Sequence, residues 1–195
     1  MVAFLVLLTI VLRPVPPVPA PVAPGVPVTA PVRPDVPAAC AGDARGTVFA
    51  SGSLEDRVAA VRSWAPAHRA EPVSLVITDA VVGASVRAAA SAPNAPPFRD
   101  PEVRIHPDGV HLSGTASAAI FRYTIRATLV PEVRDGRFRL GVTELDTGGL
   151  PGFLGQQVRD LIAQAADPAA WQLPVRVSEV VLREGCGVIR GTAGD

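Results

Sequence analysis

The sequence predicts an α+β domain in which a curled antiparallel β-meander wraps on amphipathic helices. Three observations carry this. Residues 103–142 alternate apolar and polar side chains with period two, interrupted by turn signals at His106-Pro107-Asp108-Gly109 and Arg134-Asp135-Gly136-Arg137. Two other runs, Leu54–Trp64 and the stretch after Pro151, space their apolar residues three and four apart. Ten of the 21 prolines crowd into residues 14–37, outside all of these periodic segments.

The N-terminus divides in two. Val2–Leu12 holds only one polar residue, Thr9, and has the length of a signal-peptide core, too short to cross a bilayer as a helix. No basic residue precedes Arg13, so a leader, an anchor and a meaningless translated extension stay open for residues 1–12. Residues 13–37 alternate Pro with Val and Ala and read as an extended linker, about 3.1 Å per residue. Residues 38–195 are then one domain of ordinary size.

Within it, Leu54, Val58, Val61 and Trp64 form a helical stripe, with Ser53 as N-cap and Pro66 closing the run. Val73–Ile77 reads as a strand. Thr78-Asp79 caps a helix over 79–90 with Val82 and Val86 four apart, and Ser91–Asp100 reads as a Pro-rich loop. In the meander, Phe121, Tyr123, Ile125, Ala127 and Leu129 share one face with Phe138, Leu140 and Val142. Arg122, Thr124, Arg126 and Thr128 share the other with Arg137 and Arg139. After the Gly148–Gly152 break, Leu154, Val158, Leu161, Ile162 and Ala165 make a core-facing stripe. Leu173–Leu182 is a strand whose apolar parity switches, predicting a bulge near Ser178–Glu179. A turn at Glu184-Gly185 leads to a last strand, Cys186–Arg190.

Composition excludes several functions. All 18 basic residues are Arg, 18 Asp+Glu balance them, and no basic block exists to bind nucleic acid. Without Lys there is no phosphate-loop lysine, and two Cys cannot form a four-thiolate zinc site. Ser113-Gly114 lacks the preceding Gly of a nucleophile elbow. His106, Asp108 and His111 straddle a turn, where a solvated tip competes with a metal site. The chain thus presents no catalytic signature and calls for no cofactor.

Four pieces, VITDAVVGASV (76–86), PEVRIHPDGVHLSG (101–114), ATLVPEVRDGRFRLGVTELDTGGLPGFLGQQV (127–158) and LPVRVSEVVLREGCGVIRG (173–191), occur in an order that resembles bacterial exported proteins of the lipomannan-elongation-factor type. Those belong to the tubular lipid-binding (TULIP) group. The resemblance implies a half-barrel around a helix and an apolar groove for a phospholipid or other acyl lipid. The protein would lie outside the cytoplasm, secreted or tethered to a membrane surface, in envelope lipid transport or assembly.

The groove would be lined by Val82, Val86, Phe121, Tyr123, Ile125, Leu129, Phe138, Leu140, Val142, Leu154, Val158 and Leu161. Arg122, Arg126, Arg137 and Arg139 would be candidates for the headgroup, or simply a solvated face. Ala80, Gly83, Ala84 and Ala88–Ala90 are smaller than the resemblance implies, so they either leave volume or allow close packing. A non-catalytic envelope assembly module with a dry core is the alternative. Cys40 and Cys186 are expected to pair in an oxidising space, against two unrelated buried thiols.

Overall fold

The computed structural model describes residues 36–91, 98–118, 121–149 and 173–194. The expected helix carrying Leu154, Val158 and Leu161 lies outside the described residues, as do residues 1–35. The elements run α1 (Ala38–Ala41), β1 (Thr47–Phe49), α2 (Leu54–Trp64), β2 (Pro72–Thr78), α3 (Asp79–Ala90), β3 (Phe98–His106), β4 (Gly109–Ala118), β5 (Phe121–Arg134), β6 (Arg137–Asp146), β7 (Val175–Arg183) and β8 (Cys186–Ala193).

The domain is α+β, with mostly antiparallel pairing, but the single curled sheet expected from the sequence is corrected. The strands form two open four-stranded sheets, β1-β2-β8-β7 and β3-β4-β5-β6. The second is the predicted meander, antiparallel throughout. In the first, β1 is parallel to β2 and the remaining pairs are antiparallel.

Ladders stop at the seam because other groups take the edge hydrogen bonds. Val177 N–H of β7 donates to the carbonyl of Gly136, in the β5–β6 turn, at 2.7 Å. On β3, the Ile105 N–H donates to Asp79 Oδ1 at 2.7 Å and the Ile105 carbonyl accepts from Gly185 N–H at 2.9 Å. Asp79 N–H in turn donates to the Gly185 carbonyl at 3.2 Å. The start of α3, the outer strand of the meander and the β7–β8 turn are therefore knotted at one residue. Such bonds satisfy edge groups that would otherwise pair with another strand.

Local signals explain the helices. Ser53 and Asp56 form a reciprocal capping box on α2, and the bonds from Ser53 hold the Asp56 carboxyl below its ordinary range. Thr78 accepts from the Val81 N–H at the head of α3. The β7 bulge falls between Val177 and Glu179, where the parity switch predicted it. Two boundaries shift from expectation. β3 begins at Phe98, inside the predicted loop, and β8 continues to Ala193, because Arg190–Thr192 remain paired with β2.

The main core lies on one face of the first sheet. There Val73, Leu75 and Ile77 of β2, Ile189 of β8 and Val175 and Val177 of β7 meet Val61 of α2 and the turn-proximal end of the meander, Ile105 and Phe138. The opposite face carries a second cluster of Cys40, Ala50, Val76, Cys186 and Val188, flanked by Val36, Ala44 and Val48. Val36, the first of the described residues, already packs against this cluster. Ser74, fully buried between these hydrophobics, is satisfied by Arg45, accepting from its N–H at 2.8 Å and donating to its carbonyl at 2.6 Å. Arg57 is also buried, donating to the carbonyls of Gly52 and Val76, and burial lowers its pKa.

The second cluster contains the expected disulfide. Cys40 and Cys186 are bonded, with Cα atoms 6.4 Å apart across 146 residues of sequence. Asp43 and Arg183 pair beside it at 2.9 Å, and that hydrogen bond lowers the Asp43 pKa. We predict that replacing both Cys by Ser lowers unfolding free energy by up to about 4–5 kcal/mol, the chain-entropy value for so long a loop. Denaturant unfolding checks this; unchanged stability would contradict it. Asp79→Ala, which leaves the Ile105 N–H without its acceptor, should cost about 1–3 kcal/mol by the same measurement.

Candidate functional site

The meander presents two chemically different faces, and its register assigns every candidate to one of them. Directly opposed residues of an antiparallel pair lie on the same face. On β5, Phe121, Tyr123, Ile125, Ala127 and Leu129 oppose Ala118, Ala116, Gly114, Leu112 and Val110 of β4. On the other side Leu129, Pro131 and Val133 oppose Val142, Leu140 and Phe138 of β6. One face is therefore apolar from the β5–β6 turn to Phe121, as the period-two pattern predicts.

Only part of that face is available. Near the turn it is consumed by the core: Phe138 is buried there, and Leu140 and Val82 pack against it. Farther out a small separate cluster forms from Ala116 and Ile125, with Phe98, Tyr123 and Leu145 against it. The Phe98 ring lies over Gly114, where a Cβ would come within 2.3 Å of it. Leu129 and Val86 are half-buried. Phe121, at the far end, is 59% exposed, Val142, opposite Leu129, 39%, and Val133, opposite Phe138 beside the β5–β6 turn, 36%, whereas Ile125 is 4% exposed. The Phe121 and Tyr123 rings sit 6.4 Å apart at a tilt. Leu154, Val158 and Leu161 lie outside the described residues.

The opposite face is polar. Arg122 and Arg126 are exposed on it, as is Arg137, while Arg139 is partly buried. The four guanidiniums are not brought together. Arg122 and Arg126 oppose Ser117 and Ser113 at one end of β5, and Arg137 and Arg139 oppose Arg134 and Glu132 at the other. Arg126 also opposes Asp146, so the acidic neighbours of a solvated face are present.

A shallow groove of about 400 Å³ crosses this face, lined by Glu102, Arg104, His111, Ser113, Arg126, Thr128, Glu144 and Asp146 among others. In it Asp108 Oδ1 lies 3.1 Å from His111 Nε2, and Thr128 Oγ1 lies 3.4 Å from both His111 Nδ1 and Glu144 Oε2. The one Thr128 proton serves either His111 or Glu144, not both. Sequence reasoning missed this chain, which depends on the β4–β5 register that sets His111 opposite Thr128.

His106 pairs with Glu184 of the β7–β8 turn at 2.9 Å, and its ring meets that of His111 edge to face at 5.1 Å. The side chains of the His106–Asp108–His111 tip are thus engaged by one another and by Glu184. Among the described residues no group of three or more His, Cys, Asp or Glu side chains is placed to hold a metal.

The Asp108 carboxyl is held below its ordinary range chiefly by the His111 hydrogen bond. His111→Ala should therefore raise the Asp108 pKa toward the ordinary carboxylate value, read by carboxyl-carbon NMR titration. An unmoved titration would contradict the pairing. Set against models of known protein families and against curated proteins, the chain matches none.

Proposed function

We propose that this domain binds an acyl lipid, without catalysis, on the apolar face of the β3–β6 meander, outside the cytoplasm. The observation that carries the reading is the continuation of that face beyond the core to the exposed Phe121 and Val142. Between Phe121 and Leu129 the buried Ile125 and Ala127 interrupt the exposed surface, so the acyl chain would meet the face at Phe121 and at Val142, opposite Leu129. Each methylene removed from water there contributes about 0.8 kcal/mol. Sixteen would give on the order of 12 kcal/mol before association and ordering costs. The resemblance to envelope lipid-binding proteins adds a prior for the same ligand.

The headgroup stays in water at the rim. Arg122, beside Phe121 but on the opposite face, is the nearest candidate among the four arginines, since Arg137 and Arg139 stand at the far end of the hairpin. The mechanism is passive: apolar side chains shield the acyl chain while solvent keeps the headgroup. A disulfide fits an extracytoplasmic location, and among the described residues no helix is long and apolar enough to cross a membrane. Secretion or tethering through the N-terminus, followed by lipid transport or assembly at the membrane surface, completes the proposal.

The burial pattern selects the test. Ile125→Glu would place a charge in a closed cluster and unfold the protein, whereas Phe121 can be changed without opening the core. Wild-type protein should bind a fluorescent fatty-acyl probe at micromolar or lower concentration. Phe121→Asp should weaken that binding at least tenfold with an unchanged melting temperature. Wild-type protein that ignores fatty-acyl and phospholipid probes would leave the assembly-module reading in its place.

A further inference from the structure

The outer strand of the meander has a self-complementary charge pattern. β6 runs Arg137-Phe138-Arg139-Leu140-Gly141-Val142-Thr143-Glu144-Leu145-Asp146, cationic in its first half and anionic in its second. Among the described residues it is the last strand of its sheet, with β5 beside it. The side chains of Val142, Thr143 and Glu144, in the middle of the strand, are exposed.

We propose that β6 pairs antiparallel with β6 of a second copy of this chain, about a two-fold axis through Gly141, the Thr143 bulge of each copy taking up the one-residue offset on either side. That register sets Arg137 opposite Asp146 of the other copy, Phe138 opposite Leu145 and Arg139 opposite Glu144. The match holds in sheet face as well as in charge. Within one chain Phe138 and Leu145 oppose Val133 and Ala127 on the apolar face, while Arg139 and Asp146 oppose Glu132 and Arg126 on the polar one. The bulge, which falls at Thr143 between the partners of Thr128 and Leu129, lies in the central stretch of both copies.

Two further observations fit a facing carboxylate. Arg137 opposes Arg134 within its own hairpin, a like-charge pair that an added acid relieves. The Arg139 side chain is only partly buried, so its guanidinium can meet a carboxylate from outside the chain. Edge charges ordinarily block strand addition. Here they block unrelated strands, whereas antiparallel self-pairing turns each charge toward its opposite, giving an isologous interface and one continuous eight-stranded sheet.

The inference is independent of lipid binding and is tested by the mass of the full-length protein in solution. Light scattering on a sizing column between 1 and 100 μM should show a dimer. Arg139→Glu and, separately, Glu144→Arg should each weaken it at least tenfold, and the combined charge swap should restore it. Circular dichroism must show each variant folded; if Arg139→Glu does not fold, Glu144→Arg, at an exposed position, decides alone. A wild-type monomer at 100 μM, or a dimer indifferent to whichever single change folds, would overturn the proposal. Failure of the folded double swap to recover the dimer would overturn the Arg139–Glu144 register.

Discussion

The structure depends on a strand that must be covered on both sides. In β2, Val73, Leu75 and Ile77 point one way and Ser74 and Val76 the other, and all five are buried. A strand apolar on both faces cannot leave either one in water, since burial of such side chains is the main favourable contribution to folding. One face is covered by α2 and the turn-proximal end of the meander, and the other by the segment from Val36 to Ala50. That segment is short, with only a four-residue helix and a three-residue strand to order it. The Cys40–Cys186 bond and the Asp43–Arg183 pair fasten it where local propensity is weak.

This division of labour determines what remains for function. The first sheet is used up in the core, and so are the meander's residues nearest its turns. Among the described residues, the distal apolar face of the meander carries the small cluster around Ile125, and it reaches solvent at Phe121. The two sheets stay separate because Asp79, Gly136 and Gly185 take the hydrogen bonds that would extend a ladder across the seam. Beyond the core, the meander thus has one apolar and one charged side.

Much of this was legible where the signal is local. Ser53 and Pro66 bracket α2, the Asp135-Gly136 turn has both residues at positive φ, and the switch in parity after Val177 locates the bulge. The faces of β5 and β6 follow from alternation alone. What alternation cannot carry is closure: a side-chain carboxylate from Asp79 ends the β3 edge, and nothing in residues 98–106 announces it. β1 is three residues long, too short to show a period. The unbroken Val73–Ile77 run did hold the signal for two-sided burial, with Ser74 masking it until Arg45 is seen to satisfy the hydroxyl. Arg57 reads as an exposed helix position because its partners are backbone carbonyls, which sequence does not mark. In the candidate site, periodicity chose the face but not the depth, and so placed Phe138 and Phe121 together when one is core and the other surface.

The central claim is that the exposed end of the apolar face exists to hold lipid. Native mass spectrometry of full-length protein, purified from cells without added lipid or detergent, tests this directly. The account predicts a bound species that organic extraction releases and that has the mass of a phospholipid or fatty acid. A bare polypeptide mass, from protein whose disulfide is intact and whose circular dichroism is native, would contradict it.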